Sequence, residues 1–457
     1  MSAEASGDDV PGGGAIPPSL RAMADEAGPA RVVMVDVEEP LPELIADDHY
    51  RSAWIVLCRR KVPVHMVIVQ LSTSGAQTRA QLEQLVEQVR ADGSLAREVD
   101  VIADGELAHI TVVVPTIATR VEDLALCVRA LERLDYPSYD VVLVDNRTSR
   151  PAVDTLSALV ENRPWLRVIS EPRPGISAAR NAGVAAAKGE IVAFTDDDVR
   201  VDAQWLRAIG ARFAREPHVD AVTGLILPAE LETPAQVWFE RYYGGFGGRR
   251  DFLPLHVEMA PDRVALLGRR ARVSGGPTAQ RISIFAVGAY GAGANMAFRT
   301  SSLESVGGFN VALGVGTPTR GGEDLAVLIN ILWRGGQIAY EPAAYVLHRH
   351  RREYDELLHQ LDGYGMGLTA MLASLIRRDP RHVGSILSQL PAALKWKTNQ
   401  GIQRSRGTPV GSAPHVETVS LYPSNLFMHE LIAFARGPLA YFRSVRAWRR
   451  VNSPRAN

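Results

Sequence analysis

A chain of 457 residues is too long for one ordinary core and implies two or three lobes; at 46% hydrophobic residues, a sizeable interior is within reach. Its 50 Lys and Arg against 51 Asp and Glu leave a net charge of −1, which excludes nucleic acid as the main partner, because phosphate-backbone binding needs a marked basic excess. No run of about 18 apolar residues is available to span a bilayer, and the acidic, Gly/Pro-rich start lacks the pattern of a secretion signal.

Residues 1–29 are Gly, Pro, Ala and acidic residues without periodicity, which predicts a disordered tail. Residues 30–105 predict a small α/β lobe: β-type runs at Arg31–Val37, Ser52–Cys58 and Val62–Leu71, then a helix over Gln77–Ala91 with Leu82, Leu85 and Val89 on one face. No catalytic constellation is visible in it, and a structural or protein-contact role is expected. Cys58 here and Cys127 farther on are the only cysteines, and both read as buried thiols of a reducing cytoplasm.

From Ala108 the chain alternates strand and helix. Ile110–Val114 runs into Pro115-Thr116, a helix pattern covers Val121–Leu134, Val141–Val144 ends in Asp145-Asn146, a helix pattern reaches Val160, and Leu166–Ser170 is a third strand. Continuous apolar runs of this kind predict a parallel sheet covered on both faces, with ligands beyond the carboxyl ends of the strands. A Pro/Gly break at 172–175 then opens a helix in which Arg180 and Asn181 fall early, where amide N–H groups and the dipole favour phosphate; Arg180 is equally well explained as packing over the sheet or pairing with an Asp. Asp196, Asp197 and Asp198 follow the apolar run Ile191–Thr195. Three carboxylates crowding a buried strand end repel one another unless a hard divalent ion holds them.

Residues 229–283 carry Trp238, Phe239, Tyr242, Tyr243 and Gly244–Gly248, then a basic stretch Gly268–Gly276 read as mobile; aromatics beside glycine hinges suit sugar stacking under a lid, or a core patch with loops. Asn295, among glycines at 291–293, can donate and accept to hydroxyls. Glu323-Asp324 opens a helix pattern, where dipole capping alone would explain two acids. His348 and His350 lie on a strand pattern that ends in a basic cluster. Beyond it, helices over Tyr354–Ile376 and Leu426–Val451 are separated by a linker; the last pairs apolar residues with Arg436, Arg443, Arg446, Arg449 and Arg450, which suits a membrane surface, a partner, or packing on the catalytic lobe.

Taken together, Ile110–Thr116, Val141–Asn146, Pro174–Gly183, Gly189–Asp198, Gly291–Phe309, Gly322–Leu325 and Trp333–Arg351 resemble a family 2 glycosyltransferase, the inverting, nucleotide-sugar-dependent type with the GT-A fold. The resemblance implies an α/β, Rossmann-like, mostly parallel sheet flanked by helices over 106–352, between the N-terminal lobe and a helical region at 353–457 with a linker near 401–420. It implies that Pro115, Thr116, Ile117, Asp145 and Asn146 hold the base and ribose, and that Gly175, Arg180 and Asn181 lie along the donor. Ile117 stands where many members carry an aromatic residue and Asn146 where many carry a second Asp, so a UDP-sugar is favoured rather than fixed. Asp196 is implied to lie near the ribose and Asp198 to reach Mn²⁺ or Mg²⁺, with Asp197 able to exchange with its neighbours. His348 occupies the place from which some members ligate the metal, and Asn295 belongs to the donor-sugar wall. Asp324 would be the general base, and Glu323 would orient the acceptor or Asp324. The resemblance further implies a glycan, lipid-linked or small-molecule acceptor and a cytoplasmic enzyme, with peripheral contact at the cytoplasmic membrane through the last helix. A nucleotidyltransferase and a catalytically silent nucleotide-sugar-binding scaffold remain as alternatives. A Rossmann dehydrogenase does not fit, because Pro115-Thr116-Ile117 replaces the glycine fingerprint.

Overall fold

In the computed structural model, residues 16, 28–91, 93, 95, 102–149, 156–246, 250–261, 269–391, 395 and 424–452 are described. The expected tail at 1–29 and the linker near 401–420 therefore lie almost wholly outside the described residues, as does Gly268.

Strands β1 (Ala30–Asp36), β2 (Ser52–Arg59) and β3 (Val62–Gln70) make a separate three-stranded sheet, β1 parallel and β3 antiparallel to β2. β2 is apolar on both sides for a reason the two-residue period makes plain. Ala53, Ile55 and Leu57 pack under helix α1 (Gly75–Ala91) against Leu82, Val86 and Val89, whereas Trp54, Val56 and Cys58 face the rest of the protein. Val56 and Cys58 join the main core, and Trp54 packs in one cluster with Trp238 and Tyr354. The N-terminal unit thus shares its interior with its neighbour. Ala30 N–H donates to the Leu231 carbonyl at 2.8 Å, and the Tyr50 hydroxyl to Glu232 at 2.5 Å.

The large sheet contains strands β4 (Ile110–Thr116), β5 (Tyr139–Asp145), β6 (Leu166–Ser170), β7 (Ile191–Phe194), β8 (Val199–Val201), β9 (Ala221–Pro228), β10 (Leu255–Met259), β11 (Arg270–Ser274), β12 (Gln280–Ser283), β13 (Met296–Arg299) and β14 (Ile338–His348). Their order is β12-β11-β10-β14-β9-β13-β7-β4-β5-β6, with β8 on β14. β6, β5, β4 and β7 are mutually parallel, as the continuous apolar runs predict. Beyond β7 the sheet is mixed: β13 runs antiparallel between β7 and β9, β14 is parallel to β9, and β10, β11 and β12 add antiparallel strands. Mostly parallel pairing is therefore confined to the amino-terminal half. The stretch read as mobile at 268–276 is corrected over Arg270–Ser274, which is strand β11. Ala271 and Val273 point inward while Arg270 and Arg272 point out, the alternation of a half-buried strand.

Helices α2 (Val121–Leu131), α3 (Ile176–Ala186), α4 (Trp205–Arg215) and α5 (Glu323–Trp333) cover the sheet, and α6 (Tyr354–Arg378) and α7 (Ser424–Asn452) form a carboxyl-terminal pair against it. Close approaches mark where the backbone must be bare. A Cβ on Gly224 in β9 would lie 1.9 Å from the Ala344 carbonyl oxygen, so only glycine lets β14 bulge there between Glu341 and Val346. Both cysteines are buried and free, and burial pushes the Cys58 thiol up to about 12, which makes it inert.

Candidate active site

Parallel pairing of β4 with β5 and β7 delivers Thr116, Asp145 and Asp196–Asp198 to one rim of the sheet. Thr116 donates its hydroxyl to Asp197 Oδ2 at 2.6 Å and accepts Ala118 N–H at 2.9 Å, which fixes the turn after β4. β14 enters beside β8 with His348 opposite Val199, and so sets the imidazole next to the triplet. His348 Nε2 is 3.3 Å from Asp198 Oδ1, and its buried Nδ1 has no partner. Asp196, Asp198 and His348 each present a donor atom within 4.8 Å of the others. Two carboxylates and an imidazole make a donor set suited to Mn²⁺. The residues present fit a divalent cation.

Burial raises the Asp196 carboxyl above its usual range, with Asp198 and Asp324 adding to the shift and Arg180 opposing it. Burial pushes Asp197 up to about 7, helped by the charge of Asp198. Such a carboxyl binds more protons folded than unfolded between its ordinary value of 3.8 and about 7, so stability declines as pH rises through that window. In EDTA, wild-type Tm is expected to fall more steeply from pH 5 to 8 than that of Asp197→Asn, which keeps an acceptor for Thr116. Equal slopes in a thermal scan series would show that Asp197 is not strained.

The second acidic pair sits at the start of α5. Gly322 precedes it with φ 87°, and a Cβ there would be 2.5 Å from the Gly367 carbonyl oxygen of α6. In turn a Cβ on Gly367 would be 2.8 Å from the Gly321 carbonyl carbon. The loop bearing Glu323 and Asp324 therefore lies directly on the backbone of α6. Asp324 accepts Gly293 N–H at 2.8 Å through Oδ2 and Leu325 N–H at 2.8 Å through Oδ1. A carboxylate has about four lone-pair directions, so capacity to take a proton remains.

Arg180 on α3, 1% exposed, joins the two acidic groups: it donates to Glu323 Oε1 at 2.8 Å, Asp196 Oδ1 at 3.2 Å and the Gly293 carbonyl at 3.2 Å. Gly293 is a shared node, accepting from Arg180 and donating to Asp324. Burial and the Asp324 charge raise the Glu323 carboxyl against the pull of Arg180, while the surrounding acids hold the guanidinium firmly protonated. The pair pulls in opposite directions, and Arg180, which does not lose its proton in proteins, fixes the outcome as a charge-assisted hydrogen bond.

Several residues expected along the donor have other occupations. Arg180 is spent on Asp196 and Glu323, the ion-pair reading, rather than offered to phosphate. Asn181 clamps Phe309, donating to its carbonyl at 2.8 Å and accepting its N–H at 2.9 Å. Asn146 holds the 171–175 loop, donating to the Glu171 and Arg173 carbonyls at 2.6 and 2.8 Å and accepting Gly175 N–H at 3.1 Å. Gly175 caps α3 with φ 116°. Asp145 is in a bidentate pair with Arg147, both distances 2.8 Å. Pro115 is buried in β4, and Ile117 is exposed at the rim. Asn295 is corrected from sugar contact to core: fully buried, it accepts from Trp205 Nε1 at 2.8 Å and donates to the Leu225 and Ala344 carbonyls at 3.0 and 2.7 Å. Asn295→Ala would strand three buried groups at about 1–3 kcal/mol each, an effect a urea melt of the metal-free protein should show. Unchanged stability would argue against this junction.

His350 is also turned inward, bonding Glu240 at 2.5 Å and stacking 5.3 Å from His348. Two arginines complete the site, Arg351 belonging to the basic cluster that the sequence shows after His350. Arg120 lies 3.2 Å and Arg351 3.7 Å from Asp198 Oδ2, both partly exposed at the rim. Nothing in the sequence marks Arg120. The α6 glycines do leave a signal, because Gly363, Gly365 and Gly367 in one helical pattern each cost about 1 kcal/mol unless packing demands them.

The description "Glycosyl transferase family 2" matches residues 111–272. The pre-mycofactocin glycosyltransferase of Mycobacterium tuberculosis is 27% identical over 306 residues, 66% of this chain and 54% of that protein. An uncharacterised glycosyltransferase of Mycobacterium bovis is 35% identical over 136 residues, 28% of this chain and 56% of its own length. The chain thus spans about half the length of these relatives. A solved mannosyltransferase from Pyrobaculum calidifontis, in complex with GDP-Man and Mn²⁺, aligns over 80% of this chain and 97% of its own at 18% identity and a TM-score of 0.45.

Proposed function

This chain carries a family 2 glycosyltransferase domain, and from that premise we propose that it is an inverting, metal-dependent glycosyltransferase moving a sugar from a nucleoside diphosphate, a UDP-sugar by preference, to a hydroxyl of a glycan, lipid-linked or small-molecule acceptor. The observation that carries this reading is the bridge through Arg180 and Gly293, which ties the cation-ready cluster of Asp196, Asp198 and His348 to Glu323 and Asp324 across one crevice. Such a link supports the reading of a leaving-group site and a proton acceptor within one substrate's reach.

Asp196, Asp198 and His348 would hold Mn²⁺ or Mg²⁺, which when bound supplies Lewis-acid neutralisation of charge on the departing diphosphate. Arg120 and Arg351, partly exposed beside Asp198, supply positive charge for the same oxygens once a cation takes over their balancing role. Thr116 and the exposed Ile117 edge suit the nucleoside end. Asp324, held by two backbone N–H donors, accepts the proton of the acceptor hydroxyl as that oxygen attacks the anomeric carbon opposite the leaving group. Attack from that side inverts the configuration. Glu323 does not touch substrate in this reading; it fixes Arg180, and so the distance between the two acidic groups. A cytoplasmic setting with peripheral membrane contact belongs to the same reading; no described helix is long and apolar enough to cross a membrane.

Incubating the protein with a panel of nucleoside diphosphate sugars, with Mn²⁺ and with EDTA, tests it. Metal-dependent release of nucleoside diphosphate from one donor is expected. Absence of turnover with every donor, or equal turnover in EDTA, would contradict it.

A further inference from the structure

Helix α7 is apolar on two opposite sides, and among the described residues only one of them is packed against the protein. Leu426, Ala433, Ala440 and Tyr441 are buried, and Gly437 sits on α6 so closely that a Cβ would be 2.0 Å from Thr369 Oγ1. On the opposite side Met428, Ile432, Leu439 and Phe442 are 54%, 48%, 56% and 51% exposed, with Leu431 and Ala435 also exposed. At 3.6 residues per turn these six fall within an arc of roughly 100°, centred away from the buried side. Scattered apolar surface residues do not align in this way, and six in one stripe leave a continuous ridge in contact with water.

The charge around the ridge says what would cover it. Arg436 and Arg443 line one edge of it, it runs on at its carboxyl end into Arg446 and Arg450, all exposed, and exposed His429 near its start lies 3.7 Å from Asp362 of α6. From Leu431 to Asn452 there is no acidic residue. An apolar ridge with arginines along one edge and at its carboxyl end is complementary to a surface that is apolar inside and anionic at its edge, which is the interface of a bilayer containing acidic lipid. A core-packing helix would not need the second stripe, and a helix meant for water would interleave acids with its arginines.

We propose that the outer face of α7 is a docking surface for an anionic membrane, with Met428, Ile432, Leu439 and Phe442 entering the acyl boundary and Arg436, Arg443, Arg446 and Arg450 meeting the headgroups. The inner face of the same helix reaches the crevice: the Arg173 guanidinium lies 5.1 Å over the Trp448 ring, next to the loop that Asn146 holds, and α6 carries the Asp324 loop. Docking would therefore set the crevice one helix layer from the lipid. This deepens the membrane contact named above, but its evidence does not depend on the transferase reading.

Co-sedimentation of the full chain with vesicles of phosphatidylcholine alone, or with phosphatidylglycerol added, tests the proposal at low and high salt. Binding is expected only with phosphatidylglycerol, to weaken with salt, and to fall by about tenfold or more in Leu439→Ser/Phe442→Ser and in Arg443→Gln/Arg446→Gln/Arg450→Gln. These side chains are exposed, so both variants should keep the wild-type Tm. A wild-type chain that stays in the supernatant with every vesicle would overturn the proposal. So would variants that bind as well as wild type, or a ridge that light scattering shows to be covered by a second copy of the chain.

Discussion

Asp324→Asn is expected to lower sugar transfer by about 10²- to 10⁴-fold, equivalent to roughly 3–5 kcal/mol of barrier, while nucleotide and Mn²⁺ binding persist. The substitution keeps the shape of the side chain and removes its ability to take a proton. One of the two backbone donors, Gly293 or Leu325, would then face an amide N–H instead of an oxygen, at a cost of about 1 kcal/mol to the fold. That cost is small beside the catalytic loss, so a variant with near-normal Tm and normal nucleotide affinity but no transfer isolates the proton-transfer role. If transfer survives within about tenfold of wild type, below what general bases contribute, the base lies elsewhere and Asp324 serves as the dipole cap of α5.

Asp198→Asn should produce the second large effect, loss of cation binding. Asp198 is the carboxylate on which His348, Arg120 and Arg351 converge, and it is the more deeply buried of the two acids in the cluster. Mn²⁺ affinity is expected to drop by more than the roughly 10–100-fold that removal of an outer partner of a metal ligand costs. The metal-free protein should at the same time be no less stable, because one of three crowded like charges is gone. Calorimetric titration with Mn²⁺ reads the first effect and a thermal scan in EDTA the second. Unaltered Mn²⁺ affinity would move the cation away from this cluster.

Much of this arrangement was legible in the sequence because buried parallel strands announce themselves. The runs at 110–114, 141–144 and 191–194 have no alternation, and a strand buried on both faces gives just that pattern, so the rim that collects Asp145 and Asp196–Asp198 follows from topology. What the pattern could not supply was the direction of polar side chains. Asn146, Asn181 and Asn295 look alike in sequence whether they meet a ligand or a backbone carbonyl, and all three meet backbone. Arg180 posed the same choice, and its partners lie 16 and 143 residues away. The antiparallel strand β11 was obscured because its short, basic, glycine-flanked segment resembles a loop until it pairs. The second apolar stripe of α7 was hidden for a different reason: apolar residues on two faces sum to one undifferentiated apolar helix until the packing partner of one face is known.

Charge organisation explains how the site holds together without its ion. Asp196, Asp198, Glu323 and Asp324 would repel one another strongly in a low-dielectric crevice. Arg180 neutralises the inner side from a buried position, while Arg120 and Arg351 do so from the exposed rim. Removing buried Arg180 would leave paired acids without compensation, whereas the rim arginines can swing aside as a cation and a diphosphate arrive together. The fixed and the movable cations thus divide structural from substrate-handling duty.

Crystals soaked with Mn²⁺ and a nucleoside diphosphate, with anomalous scattering recorded at the manganese edge, test the central claim most directly. One peak within bonding distance of Asp196, Asp198 and His348, touching the diphosphate, with Asp324 facing the same cavity, is the predicted result. A peak elsewhere, or a diphosphate bound with no manganese beside it, would contradict the account.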